Sequence, residues 1–86
     1  MIARERSYRG LSARAALGYL ERVGGTRVDD RTVAGEHWRA SVSEDTVSIG
    51  PSLQLTEVTV AFEAESDDVL DPVVEKFSQK AIRAGG

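Results

Sequence analysis

Residues 66–86 read SDDVLDPVVEKFSQKAIRAGG, and this stretch decides how the rest of the chain must fold. Leu70, Val73, Val74, Phe77, Ala81 and Ala84 recur at i, i+3, i+4, i+7, i+11 and i+14, one continuous stripe on an α-helix. Asp71-Pro72 offers an N-cap followed by a proline at the first helical position. Lys80 and Arg83 fall in the last turn, where cations oppose the helix dipole. Gly85 stands where a helix end takes a left-handed residue. A helix with one apolar stripe needs a surface to cover, and the upstream residues supply strands.

Working back from the helix, residues 54–64 form the longest expected strand, with Val58, Val60 and Phe62 on the core face. Leu53 and Leu55 have the opposite parity. Either a bulge near Thr56 restores the phase, or these leucines cover a second surface. Gly50-Pro51-Ser52 breaks the chain. Residues 46–49 make a short strand with Val47 and Ile49 inward, and Glu44-Asp45 turns back into a strand over 36–43. There Trp38, Ala40 and Val42 share the core face, while His37, Arg39 and Ser41 share the open one. Ala34-Gly35 is read as a hairpin turn, preceded by a strand over 26–33 with a turn or bulge at Asp29-Asp30. Residues 11–23 are a helix with Ser12 as N-cap and Leu11 stapled on Ala16. Ala13, Ala16, Leu17 and Leu20 face inward, and Gly24-Gly25 ends it. Residues 2–8 alternate as a charged edge strand.

The order is β-α-β-β-β-β-α. This predicts an α+β fold, a two-layer sandwich whose antiparallel sheet carries both helices on one face. At 86 residues the chain is a single domain, 1–86, whose folding buries only about 60% of the unfolded surface, so self-association as a homodimer is expected.

Charge and composition exclude several functions. The net charge is −3, with no Lys or Arg from residue 40 to 75 and nine acids there, while Arg4, Arg6, Arg9 and Arg14 crowd the first twenty residues. That balance argues against nucleic acid as a partner, and a small anion held near Arg4, Arg6 or Arg9 fits better. With no cysteine and one histidine, neither a thiolate nor a histidine-based metal site can form. Asp67, Asp68 and Asp71 lack the spacing of a calcium loop and read as negative charge at a helix N-terminus. No signal-peptide or membrane-spanning run is present, so a cytoplasmic protein is expected. No catalytic motif is found, which leaves no catalytic residues, metal or cofactor to name.

Two features remain as candidate sites. His37, Arg39 and Ser41 mark the open sheet face as a surface for a protein partner. Gly85-Gly86 is a diglycine end that arises by chance in roughly 0.5% of chains. An extended diglycine carboxylate is what ubiquitin-like modifiers and sulfur carriers present for activation, whereas a helix running to about Ala84 leaves only a two-residue stub.

Residues 49–77, IGPSLQLTEVTVAFEAESDDVLDPVVEKF, with KAIRAGG at 80–86 and more loosely LSARAALGYLERVG at 11–24, resemble the small domain at the C-terminus of MoaD-related proteins. That domain also occurs as a stand-alone protein in some archaea. The resemblance implies a TATA-box-binding-protein-like fold of order β-α-β4-α. It implies no catalytic residues, and it links the chain by association to sulfur-carrier and molybdopterin biosynthesis systems, MoaD being the sulfur-carrier subunit of molybdopterin synthase. The expected function is therefore a non-enzymatic accessory or interaction domain. The alternatives are a modifier or sulfur carrier activated at Gly86, and a module holding a small apolar ligand beneath Trp38, Val60 and Phe77.

Overall fold

A computed structural model describes residues 1–85; for residues 83–85 it describes the backbone alone, and Gly86 lies outside the described residues. The chain forms β1 (Ile2–Arg9), α1 (Ala13–Arg22), β2 (Thr26–Asp29), β3 (Thr32–Gly35), β4 (Trp38–Ser48), β5 (Gln54–Ala64) and α2 (Asp67–Gly85). The expected order and the α+β class hold. All strand pairings are antiparallel, and the sheet order is β1-β5-β4-β3-β2. A meander runs from β2 to β5, and β1 closes the far edge beside β5.

Both helices lie over one face. Leu17 and Leu20 of α1 and Leu70, Val73, Val74, Phe77 and Ala81 of α2 are buried against Trp38, Ala40, Val42, Val58, Val60 and Phe62. The Phe77 ring stands edge-on to Tyr8 at 5.2 Å and to Phe62 at 5.9 Å between centroids. Trp38, Val60 and Phe77, beneath which the alternative reading placed an apolar ligand, are all buried in this one cluster. No buried side-chain polar atom among the described residues lacks a partner.

Several boundaries differ from the sequence reading, each for a local reason. α2 starts at Asp67, more than a turn before Asp71-Pro72, because the Ser66 hydroxyl accepts the Val69 N–H at 3.4 Å and caps it there. Pro72 therefore lies inside the helix. Gly85 is within the helix too, so it does not serve as a left-handed stop. The Ala84 and Arg83 side chains are outside the described set.

The segment 26–33 is a hairpin. Asp29 accepts the Arg31 N–H at 2.9 Å, which turns the chain and divides it into β2 and β3. Ala34-Gly35 then belongs to β3, and the next turn falls at Glu36-His37, with His37 at φ 67°. Glu44-Asp45 makes no turn, and the two expected strands are the single eleven-residue β4. Its ladder to β5 runs unbroken from Trp38↔Ala64 to Ser48↔Gln54. No bulge corrects Leu55, and the second of the two alternatives is the one found. Val47 sits opposite Leu55 on the face away from the helices, and Ile49 and Leu53 are exposed.

Val33 and the Trp38 ring leave no room for a side chain at two glycines. A Cβ on Gly25 would come within 2.3 Å of Val33 and 2.9 Å of the indole, and one on Gly35 within 2.1 Å of the indole. α1 begins where expected, with Ser12 Oγ accepting the Ala15 N–H at 3.1 Å. A second cap comes from across the sheet, where Glu44 accepts the Ala13 N–H at 2.7 Å. Among the described residues no helix is long and apolar enough to cross a membrane.

Candidate interaction face

The period-two alternation that buries Trp38, Ala40 and Val42 places Arg39, Ser41 and Ser43 on the opposite, helix-free face. The register sets their neighbours. Arg39 lies opposite Glu63 on one side and Ala34 on the other; Ser41 lies opposite Ala61 and Thr32; Ser43 lies opposite Thr59. β1 extends the rows with Ala3 beside Glu63, Glu5 beside Ala61 and Ser7 beside Thr59. Ser7 and Thr59 share a hydroxyl–hydroxyl hydrogen bond of 3.1 Å, and Arg9 pairs with Glu57 at 3.3 Å. The result is a broad, shallow surface of small hydroxyls framed by paired charges. Such a surface offers many exchangeable hydrogen bonds and no enclosed cavity of its own.

His37 is not on this face. It sits in the β3–β4 turn, where its Nδ1 contacts the Glu65 carboxylate, with Glu36 at 3.7 Å from Nε2. Strand parity could not place it, because parity begins at Trp38. A left-handed φ is commoner for residues such as His, Asn and Asp than for others, and that was the available signal. A cleft of about 470 Å³ nevertheless joins His37 to Arg39, with Glu63, Glu65 and Trp38 in its wall. Arg39 and Ser41 are thus together on the face, and His37 is at its rim. Glu65, Ser7 and Ser43 are additions that the sequence reading did not name.

Arg4 and Arg9 are committed elsewhere. Arg4 faces the helices and holds Asp71 at 2.7 Å and Asp67 at 3.1 Å. With Arg9 bound to Glu57, two of the three proposed anion ligands already have carboxylates. Of the three acids expected at the helix N-terminus, Asp67 and Asp68 lie in the first turn of α2, where they oppose the dipole, while Asp71 lies a turn further in. Among the described residues no group of three or more His, Asp or Glu side chains is placed to hold a metal ion.

α2 lies on the other face of the sheet, so Gly85 is not part of the Arg39–Ser41 surface; Gly86 lies outside the described residues. One titration is shifted: the Arg31 backbone N–H holds the Asp29 carboxyl below its ordinary value.

No curated protein matches this sequence. The profile of a protein family described as archaeal MoaD-like protein matches residues 4–86.

Proposed function

Because the chain belongs to the archaeal MoaD-like family, we propose that it is a non-enzymatic accessory domain of a sulfur-carrier or molybdopterin system, binding a protein partner through its open sheet face. One observation carries the reading: Arg39, Ser41, Ser43, Thr59 and Glu63 form a continuous polar surface that neither helix covers. The scaffold beneath it is anchored, since Trp38, Ala40 and Val42 of β4 and Val58, Val60, Phe62 and Ala64 of β5 alternate with these residues and are buried in the core. Reversing the charge in the middle of such a face is costly for a partner and cheap for the fold.

The test is recovery of the partner from the native host with wild-type protein, Arg39→Glu and a variant lacking Gly85 and Gly86. The reading expects a stoichiometric partner that Arg39→Glu loses and the truncation keeps. A partner kept by Arg39→Glu and lost on truncation would refute it.

The second reading is a carrier or modifier activated at Gly86. It is favoured by the family match extending through both glycines. Against it stands the helix, which runs through Gly85, so presenting an extended tail requires unwinding the last turn.

A further inference from the structure

β4 is paired on both sides only for part of its length. On the β3 side the register ends at Thr32↔Ser41, and the last backbone bond runs from the Val42 N–H to the Arg31 carbonyl at 2.8 Å. The Val42 N–H thus points away from β5, whereas the Ile49 N–H points toward it, to the Leu53 carbonyl. Backbone direction alternates, so Glu44, Thr46 and Ser48 repeat the outward orientation of Val42. Among the described residues no strand meets their N–H and C=O groups on that side.

The outer edges of the sheet differ from this one. β1 carries Arg4, Arg6 and Arg9, and β2 is four residues long with an irregular register between Arg27 and Asp29. Charges and bulges of this kind block strand addition. Beyond Asp45, the free edge of β4 reads Thr46-Val47-Ser48, with neither proline nor bulge.

We propose that this edge is a self-association surface, on which β4 of a second copy pairs antiparallel across a two-fold axis at Thr46 to make one continuous ten-stranded sheet. The register is restricted. A pairing centred on Asp45 sets two carboxylates against each other and needs the Val42 N–H that Arg31 already holds. A pairing centred on Thr46 opposes Glu44 to Ser48 and Asp45 to Val47, so no like charges meet. It also brings the β4–β5 turn of one copy, with exposed Ile49 and Leu53, toward the β2–β3 turn of the other, near exposed Val28. These are three of the five large apolar side chains exposed among the described residues.

Specific interfaces at the low end take about 600 Å² from each partner, roughly a ninth of the 5399 Å² exposed here. None of residues 43–57 is buried, so the outer end of the β4–β5 ladder is exposed to a second copy. Edge pairing leaves the Arg39–Ser41 face uncovered, so this surface and the partner face are separate.

Light scattering during gel filtration tests the proposal, at concentrations up to about 1 mM, where even a millimolar Kd shows. Wild-type protein is expected to approach twice its 9.3 kDa mass. Thr46→Pro removes one outward N–H without touching the β5 ladder, and Thr46→Lys sets two ammonium groups on the axis. Both are expected to stay at monomer mass with wild-type circular dichroism. If the proline variant misfolds, the lysine variant decides. Wild-type protein at monomer mass throughout, or variants that dimerise as wild type does, would overturn the proposal.

Discussion

One ladder, β4 against β5, runs through two environments. From Trp38↔Ala64 to Val42↔Val60, helices cover one side, and Ala40, Val60 and Phe62 are wholly buried. From Asp45↔Glu57 outward, in an arm that ends at Ser48↔Gln54, none of the residues of the same strands is buried. The pairing is as regular in the arm as in the covered half, so strand pairing does not depend on helix cover here. What changes is what a side chain is worth. In the covered half it displaces water; in the arm it remains a surface available to another chain. The arm also accounts for the elongated shape, 43 Å in its longest dimension.

Substitutions in the two halves should therefore differ in cost. The largest effect is expected at Phe77, which touches Tyr8 and Phe62 in the middle of the covered half. Phe77→Ala should cost about 3–5 kcal/mol in denaturant unfolding. A loss under about 1 kcal/mol would mean that α2 does not hold the sheet. Gly35→Ala comes next, because its Cβ would fall on the Trp38 ring. Overpacking of that kind costs about 1–3 kcal/mol, and an unchanged thermal midpoint would show that the ring moves freely. Arg4→Ala removes both contacts to the start of α2. The acids are largely exposed, so the expected cost is only about 0.5–1 kcal/mol, shrinking further in high salt. Leu55→Ala, in the arm, should change monomer stability by less than about 0.5 kcal/mol.

The smallest expected effect belongs to Asp29 and depends on pH. Its carboxyl titrates below the ordinary value because the charged form accepts the Arg31 N–H. Its contribution is therefore present above the unfolded-state value, near pH 4, and is lost as pH falls through the lower folded value. The difference between wild type and Asp29→Ala in thermal midpoint should be present at pH 7 and vanish toward pH 2. A difference constant across that range would assign the loss to packing instead.

The covered half was legible in the sequence because burial writes a period. The 3.6-residue stripe of α2 and the alternation of Trp38, Ala40, Val42 and of Val58, Val60, Phe62 are direct records of which side faces the core. The arm was misread for the same reason. Without a covering helix, Val47, Ile49, Leu53 and Leu55 are not held to the core parity, so their pattern predicts a turn at Glu44-Asp45 and an inward Val47 and Ile49 that the structure does not have. Of the candidate site, Arg39 and Ser41 could be placed by strand parity. His37 could not, since its position depends on a left-handed turn residue. The Arg4–Asp67–Asp71 cluster spans more than sixty residues of sequence, and only the register of β1 beside α2 brings it together.

The most direct measurement is the intact mass of the protein isolated from its native host, with any co-purifying chain identified in the same preparation. The interaction-domain account predicts an unmodified C-terminus and a stoichiometric partner that Arg39→Glu no longer retains. A thiocarboxylate, an adenylate or a covalent conjugate through Gly86 would contradict it and establish the carrier reading instead.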